Sequence, residues 1–467
     1  MKILIISIGP IFKNIVHGGS QKILRELALF LGQKGHQVTI LCTRREDNSL
    51  IFQLGKNVLV KPILLFKEIY PSPYETAPFK LAETVKTIAE HTEMNDVIYC
   101  HDSQTLLFQW LWERKPIICS FRDFSYNETL GNAFLFERDA LIVNSEYAQD
   151  CVLSTIGRFQ QGLKKRIKVI KNGVNLKTLY RDDCSNMRKE FGLNKNSIPI
   201  LFPHRADYEK GLKHAMFTVS GLVARGFKNV VLLIPYYVDK NKSKEVDDFY
   251  EQIRNLSQKL KIKKKVKIHP WIPYERMREY YSLGKITLCL GDAAETFGSN
   301  VALESLSCGT IPILSMTGAQ RSTLPGWIAP KVDVYDVEST IDVCVKILKG
   351  KISLNYQNVR EFLHKEFSYN KMLKSYETVL KNTKKNFPLK HQKEKVLNST
   401  RKLSLAPWCY ISKKGMYIDY DKKYLKRKRV HNVLENCKVA TVQYLQRAGV
   451  TKEEIIQEYG ITVISSL

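Results

Sequence analysis

Apolar and polar positions follow two alternating periods at the start of the chain. Lys2–Ile8 is a short, β-branched run, which predicts a first strand rather than a signal peptide. Residues 20–34 then carry Leu and Ile at helical spacing, and Gln37–Cys42 is again apolar and β-rich. This order predicts a βαβ unit.

The same alternation continues through residue 384 in two series of strands. Unbroken apolar runs are typical of parallel strands that are buried on both faces, and helical stretches such as Ser145–Thr155 separate them. We therefore predict two tandem doubly wound α/β domains, residues 1–178 and 179–384, joined through the polar segment Lys177–Asn196. The other predicted strands are Asp96–Cys100, Pro116–Ser120, Ala140–Val143, Lys168–Ile170, Ile198–Phe202, Val230–Ile234, Val266–Ile268, Ile286–Leu290 and Ile311–Leu314.

The end of the chain, residues 385–467, has a different character. The part before Arg429 is basic and shows no clear periodicity, whereas Asn432–Tyr459 has apolar residues at helical spacing. Thr451 followed by Glu454 resembles a capping box. We predict a small helical appendage there, after helices in residues 355–382 that close the second domain.

Composition and charge narrow the class of protein. Of the 467 residues 44% are hydrophobic and 25% charged, which excludes a disordered or collagen-like chain. No apolar run approaches the ~20 residues of a membrane-spanning helix, so we expect a cytoplasmic protein, free or peripheral at the inner membrane face. The ten cysteines are scattered without a Cys-x-x-Cys pair and are predicted to be reduced thiols.

The formal charge of +27 predicts an anionic partner. Residues 381–430 alone hold 16 Lys or Arg against three acidic residues. This basic tail suits an anionic lipid, a phosphorylated polymer or nucleic acid, although a solvated linker also accounts for such a run. Asp419-Tyr420-Asp421 looks like a metal-binding Asp-x-Asp, but no apolar strand precedes it, so we predict no metal site.

Two clusters of candidate functional residues follow the first predicted strand of each domain. Open α/β sheets bind ligands at the carboxyl ends of their strands. Gly18 and Gly19 precede a helix, and glycines there let backbone N–H groups approach an anion; a plain tight turn is an equal alternative. Arg205 and Lys210 flank a turn at the start of the second domain and can converge on a diphosphate.

A third cluster, Glu295–Glu304, follows the predicted strand Ile286–Leu290. Gly298 and Ser299 free the loop to present N–H groups at a helix N-terminus. The carboxylates at its two ends can bind hydroxyl groups of a sugar and a ribose.

In their order along the chain these segments resemble the retaining, nucleotide-sugar-dependent glycosyltransferases with the GT-B fold, known as glycosyl transferases group 1 or family 4. The resemblance covers roughly residues 1–384 and implies two Rossmann-like domains with a cleft between them. The matching segments are Gly18–Gly19, Asp96–His101, Val143–Glu146, Val169–Asn175, Arg205 with Lys210–Gly211, Glu295–Glu304 and Cys308–Pro312.

The resemblance also implies roles for individual residues. His101 and Glu295 are expected to be catalytic, and Arg205 and Lys210 to bind the diphosphate. The other donor-binding residues are Gly18, Gly19, Phe297, Gly298, Ser299, Asn300 and Glu304. Arg122 and Asp123 are a hypothesis for the acceptor side, for which an ordinary ion pair is an equal alternative.

One departure from the family pattern affects Glu295. The family's two glutamates are separated by seven residues, whereas Glu295 and Glu304 are separated by eight. If the register is fixed at the helix, Thr296 occupies the first glutamate's position; if the loop absorbs a residue, Glu295 keeps it. We favour the second alternative because Glu-x-Phe-Gly is intact.

The implied reaction moves a hexose from a nucleotide diphosphate sugar to an acceptor with retained configuration. UDP is expected because it is the family's commonest base, and the acceptor stays open. Cations and loop amides stabilise the leaving diphosphate where charge develops, so neither a metal nor a cofactor is expected. The donor cleft is expected to work without residues 385–467.

Two other functions stay open. A sugar-nucleotide epimerase or phosphorylase could use the same fold, because a fold does not fix the reaction. A nucleic-acid-binding protein could act through residues 385–467, where a basic stretch precedes two predicted helices.

Overall fold

The computed structural model describes residues 1–16, 18–66, 76–101, 115–122, 139–237, 239, 244–393, 397–460 and 464–466. Up to residue 382 they form two sheets with helices on both faces. The helices are α1 (Gly19–Gln33), α2 (Pro78–Glu93), α3 (Glu146–Ser154), α4 (Leu163–Arg166), α5 (Ser185–Glu190), α6 (Leu212–Ala224), α7 (Lys244–Lys259), α8 (Met277–Leu283), α9 (Asn300–Ser307), α10 (Gln320–Thr323), α11 (Val337–Leu348), α12 (Tyr356–Glu366) and α13 (Tyr369–Asn382).

The first sheet has the strand order β3-β4-β2-β1-β5-β6-β7-β9 and is parallel except where β3 meets β4. Its strands are β1 (Lys2–Ile6), β2 (Gln37–Thr43), β3 (Phe52–Gly55), β4 (Val58–Leu64), β5 (Val97–Cys100), β6 (Ile117–Phe121), β7 (Ala140–Val143) and β9 (Ile167–Val169), and the short β8 (Gln160–Gln161) lies outside it. β1 pairs with β2 on one side and with β5 on the other. The strand order therefore reverses direction between β1 and β5.

The second sheet is parallel, with the strand order β12-β11-β10-β13-β14-β15. Its strands are β10 (Ile198–Leu201), β11 (Val230–Pro235), β12 (Val266–His269), β13 (Ile286–Cys289), β14 (Ile311–Ser315) and β15 (Lys331–Val332). This is the 3-2-1-4-5-6 order of a doubly wound dinucleotide-type fold. The predicted α/β architecture is confirmed, because each apolar run assigned to a strand in the sequence coincides with a strand to within a few residues.

The two helices expected to close the second domain pack against different domains. Val359 and Leu363 of α12 lie in the second domain's core, as predicted. Met372 and Tyr376 of α13 instead pack with Ile3 and the other core residues of the first domain, so the expectation is wrong for this helix. An amphipathic pattern shows that a face is buried but not which domain buries it.

The end of the chain contains the predicted helices and also strands. The helices are α14 (Arg429–Cys437), α15 (Val442–Arg447) and α16 (Lys452–Gly460), and Thr451 Oγ1 accepts the Glu454 N–H at 3.0 Å. The strands are β16 (Lys390–His391), β17 (Lys402–Leu405), β18 (Cys409–Ser412), β19 (Gly415–Ile418), β20 (Lys423–Leu425), β21 (Ala440–Thr441) and β22 (Ile464–Ser466). β18, β19 and β20 form an antiparallel sheet, which we call the C-terminal hairpin sheet. The buried strand β19 directly precedes Asp419, so the expectation that no apolar strand precedes Asp419-Tyr420-Asp421 is wrong.

The structure also bears on the sequence-based expectations for the cysteines and for membrane-spanning helices. All ten cysteines are free, and eight of them are buried. Among the described residues no helix is both long enough and apolar enough to cross a membrane.

Candidate active site

The candidate residues flank the two points where strand order reverses. In the first sheet Gly18 and Gly19 follow β1 and His101 follows β5; in the second sheet Arg205 and Lys210 follow β10, and Glu295 follows β13. Doubly wound sheets bind ligands in the crevice outside the carboxyl ends of strands at these points. The topology therefore directs all of these groups toward one cleft.

The loop after β10, His204–Gly211, which we call the arginine loop, holds two cations around one carboxylate. Asp207 Oδ2 lies 3.7 Å from Arg205 Nε and 4.0 Å from Lys210 Nζ. Burial raises the pKa of Asp207, but Lys210 and Arg205 outweigh this effect and lower it below its ordinary value. Asp207 is therefore a fixed anion that positions both cations.

Gly211 brings this loop against the end of β13. Its φ is +83°, and a Cβ there would lie 2.2 Å from the carbonyl oxygen of Leu290. The Asp292 N–H donates to the carbonyl of Glu209 at 3.0 Å. Only glycine combines this left-handed conformation with so close an approach.

Lys210 meets Glu295 where the two loops adjoin. Lys210 Nζ lies 2.5 Å from Glu295 Oε1, and the two side chains are 21% and 32% exposed. Burial alone would lower the pKa of Lys210, but Glu295 and Asp207 raise it above its ordinary value. Lys210 therefore remains a cation at the edge of the cleft.

The loop Asp292–Ser299, which we call the glutamate loop, ends at the N-terminus of α9. Ser299 caps this helix, because its Oγ accepts the Ala302 N–H at 3.1 Å, and Gly298 has a φ of +106°. Phe297 is buried, with its ring edge-on to Phe367 at 6.1 Å. The side chains of Ser299 and Phe297 are therefore used for capping and packing. Only their backbone groups are left to bind a donor.

Glu304, on α9, is bound from both domains. Its Oε1 accepts from Lys22 Nζ at 2.6 Å, and its Oε2 accepts from the Tyr281 hydroxyl at 2.7 Å. Glu26, one helical turn after Lys22 on α1, accepts from Tyr274 at 2.8 Å, and burial raises its pKa. Burial would lower the pKa of Lys22, but Glu304 and Glu26 raise it.

His101 lies beside the first turn of α1 and is almost completely buried. Its Nε2 is 2.8 Å from Ser20 Oγ, and its Nδ1 is 3.0 Å from the Tyr99 hydroxyl. A Cβ on Gly19 would lie 2.8 Å from Asn300 Nδ2. The glycine turn, the histidine and the start of α9 therefore adjoin across the domain boundary.

Among the described residues, Thr296 forms hydrogen bonds with the first domain, whereas Glu295 forms none with it. Thr296 Oγ1 donates to the carbonyl of Arg122 at 2.5 Å and accepts from Asn144 Nδ2 at 3.0 Å, and its own carbonyl accepts from Ser145. Thr296 is 2% exposed. The carboxylate of Glu295 extends toward Lys210 of the arginine loop. Which of the two residues occupies the position of the family's first glutamate stays a prediction.

Arg122 lies at the domain boundary, and Asp123 lies outside the described residues. Arg122 Nη1 donates to the Tyr376 hydroxyl at 2.8 Å, and its Nη2 donates to Asn172 Oδ1 at 2.9 Å. Asn172 in turn donates to Asn300 Oδ1 at 3.0 Å. These contacts link Arg122 to the start of α9, and its acceptor role stays a prediction.

The sequence reasoning missed Lys22 and Glu26 and did not predict the partner of Asp419. Lys22 and Glu26 are spaced four residues apart, which places them on one face of α1 just after the glycine turn. That spacing was a usable signal. Asp419 binds a segment next to the glutamate loop through Arg321, and nothing in the sequence pattern signals that pairing.

Comparisons with known proteins agree with this architecture. The family model for glycosyltransferase family 4 matches residues 17–178, and the model for glycosyl transferases group 1 matches residues 183–350. Among curated proteins, an uncharacterised glycosyltransferase of Methanocaldococcus jannaschii is 24% identical over an alignment 343 positions long, which covers 67% of this chain and 82% of that protein.

Solved structures share the fold at low identity. Sucrose-phosphate synthase from Thermosynechococcus elongatus superimposes with a TM-score of 0.66 at 19% identity, covering 81% of this chain and 98% of that one. The Anabaena HepE protein in complex with UDP and glucose gives 0.64 at 15% identity, covering 82% and 99%. With both family models matched in order on a GT-B fold, the chain belongs to the group 1 family of glycosyltransferases.

Proposed function

We propose that this glycosyltransferase moves a hexose from a UDP-sugar to an acceptor with retained anomeric configuration and without a metal ion. The observation that carries the proposal is the Lys210–Glu295 contact of 2.5 Å at the strand-order reversal of the second sheet. In this proposal Lys210 is the cation that binds the diphosphate, and Glu295 is the carboxylate that binds a sugar hydroxyl.

The leaving diphosphate is the hardest group to stabilise in such a reaction. Arg205 binds phosphate oxygens through its planar fork, Lys210 acts as a point charge, and the N-terminus of α9 adds backbone dipoles. Asp207 lies beside both cations, and the Ser299 side chain caps α9. Positive charge held where the leaving group becomes negative lowers the barrier to its departure.

Retention follows when the acceptor attacks the same face that the diphosphate leaves. His101 and Glu295 are the groups we assign to the sugar, and Glu304 to the ribose of the nucleotide. UDP is supported by the structural neighbour HepE, which was solved with UDP and with UDP-glucose. The starch synthase IV neighbour was solved with ADP, so the base requires a direct test.

Calorimetry with UDP, GDP and ADP tests the donor site. We expect UDP to bind the wild type and the Arg205→Ala/Lys210→Ala variant to bind about a hundredfold more weakly, because two charge-assisted contacts are lost. Arg225→Ala is the matched control, since Arg225 pairs with Glu338 and Asp342 on the surface of the same domain. A wild type that binds none of the three nucleotides contradicts the proposal.

Retention and metal independence need separate readouts. With water as acceptor, the first anomer released from UDP-glucose, followed by NMR, is expected to match the donor's configuration. Release of UDP is expected to continue in the presence of EDTA. The opposite anomer contradicts retention, and inhibition that added Mg²⁺ reverses contradicts metal independence.

A further inference from the structure

The C-terminal hairpin sheet packs into the junction of the two domains. Met416 and Ile418 of β19 belong to the same apolar cluster as Tyr147 of the first domain and Ala294 and Ala319 of the second. Ala294 belongs to the glutamate loop, and Ala319 lies beside it. The basic tail therefore contributes core residues next to the candidate donor site.

Asp419, directly after β19, is the polar centre of this contact. It is completely buried and forms a two-pronged ion pair with Arg321, at 2.7 Å from Nη1 to Oδ1 and 2.9 Å from Nη2 to Oδ2. The Tyr147 hydroxyl donates to Oδ2 at 2.7 Å, and Thr317 Oγ1 donates to Oδ1 at 3.3 Å. One carboxylate thus binds side chains from both domains.

Arg321 and Thr317 lie on the segment that supports the glutamate loop from behind. The Ala319 N–H donates to the carbonyl of Glu295 at 2.8 Å, and Thr323 Oγ1 donates to the carbonyl of Phe297. Gly318 approaches so closely that a Cβ there would lie 2.6 Å from the Glu295 nitrogen. A shift of this segment would therefore displace Glu295.

The hairpin sheet reaches the arginine loop as well. Lys422, between β19 and β20, forms an ion pair with Glu209, which immediately precedes Lys210. The Tyr335 hydroxyl donates to Asp292 Oδ2 at 2.7 Å and lies 3.5 Å from the Lys422 carbonyl. Residues of the tail thus contact the supports of both loops that meet at Lys210 and Glu295.

We propose that Asp419 is a positioning residue for the donor site and that the C-terminal hairpin sheet is a working part of that site. Asp419 acts through Arg321 and Thr317 on Glu295, and Lys422 acts through Glu209 on Lys210. This inference rests on the proposed function, and it opposes the expectation that the cleft works without residues 385–467. A substitution far from the reacting groups that displaces them by about 1 Å can lower the rate about a hundredfold.

The test uses the full-length protein with Asp419→Asn, which keeps the volume of the side chain and removes its charge. Glu458→Gln is the matched control, because Glu458 is equally buried and pairs with His431 and Lys428, which also belong to residues 385–467. The Arg321→Met/Asp419→Leu variant covers the case in which Asp419→Asn does not fold, because apolar replacement of a buried ion pair is often neutral for stability. Each variant is measured for its thermal midpoint, for the Kd of UDP, GDP and ADP, and for kcat and KM of nucleotide release from UDP-glucose.

We expect the Asp419 variants to lower kcat at least tenfold, because Glu295 is displaced, and Glu458→Gln to change kcat by no more than about twofold even if its midpoint falls equally. Lys422→Met, at a partly exposed pair, should raise Kd about threefold. A wild-type kcat in folded Asp419 variants overturns the inference alone, as does an equal fall of kcat in Glu458→Gln. A wild type that binds no nucleotide overturns the proposed function and this inference with it.

Discussion

Lys22 of α1 and Glu304 of α9 form an ion pair of 2.6 Å that joins the two domains across the cleft. The side chains are 16% and 14% exposed, and Glu26 adds a second carboxylate to the same cation. Glu304 is the group expected to bind the nucleotide's ribose. Its carboxylate is therefore bound by a residue of the opposite domain.

Lys22→Met is expected to destabilise the protein by about 3 kcal/mol, because it leaves two partly buried carboxylates without a counter-ion. The free energy of unfolding from urea denaturation measures the effect. Lys381→Met is the control, since Lys381 pairs with Glu377 on the surface and is 53% exposed. Its loss should not exceed about 1 kcal/mol. Equal losses in the two variants would show that the interdomain pair contributes no more than a surface pair.

Gly211→Ala is expected to abolish nucleotide binding. A methyl group there would meet the Leu290 carbonyl at 2.2 Å, so the arginine loop must move away from β13 and carry Lys210 with it. Gly226→Ala provides a matched comparison, because Gly226 also has a positive φ, +91°, but no atom within 4 Å of the added carbon. It should cost about 1 kcal/mol of stability and leave the nucleotide Kd unchanged. Normal binding by Gly211→Ala would contradict this account of the loop.

Glu295→Gln and Thr296→Val separate the two possible registers of the glutamate loop. Glu295→Gln should lower kcat at least tenfold with little change in stability, because Glu295 faces Lys210 and not the core. Thr296→Val removes hydrogen bonds to Arg122 and Asn144 and should cost on the order of 1–2 kcal/mol of stability. Steady-state kinetics with parallel urea denaturation measures both quantities. If Thr296→Val carries the catalytic loss and Glu295→Gln does not, the register is fixed at the helix.

Much of the fold was accessible from the sequence because buried parallel strands are unbroken apolar runs. Ala140–Val143 was predicted with its exact bounds, and strand-end topology then predicts where loops converge. The hairpin sheet was not predictable in this way. Its strands have three or four residues, too few to display a period, and short turns rich in charged residues separate them.

Ion pairs between residues far apart in the sequence could not be predicted either. Arg321 and Asp419 are 98 positions apart, and Lys22 and Glu304 are 282 apart. A charged residue in a single sequence looks the same whether solvent or a buried partner compensates it. Local sequence likewise does not contain the information needed to choose between Glu295 and Thr296, and the two variants described above test that choice.

Stability is expected to fall as the pH falls from about 6.5 to 4, with His214 as one identifiable cause. His214 is buried, with Nε2 2.9 Å from Thr340 Oγ1. Burial lowers its pKa from 6.5 to about 4, with Lys414 acting in the same direction and Asp336 against it. Between these values the unfolded chain takes up a proton that the folded protein does not, so the folded state loses stability as the pH decreases.

His214→Gln is expected to reduce the pH dependence of the free energy of unfolding by the contribution of one titrating group. That contribution is on the order of 3 kcal/mol between pH 7 and pH 4. Urea denaturation at intervals across this range measures the free energy of unfolding for both proteins. His204 and His269, whose pKa values burial also lowers to about 4, remain in the variant and preserve part of the slope. The difference between the two curves should therefore be flat above pH 7 and change below pH 6.5. Parallel curves throughout would show that His214 takes up its proton equally in the folded and unfolded states.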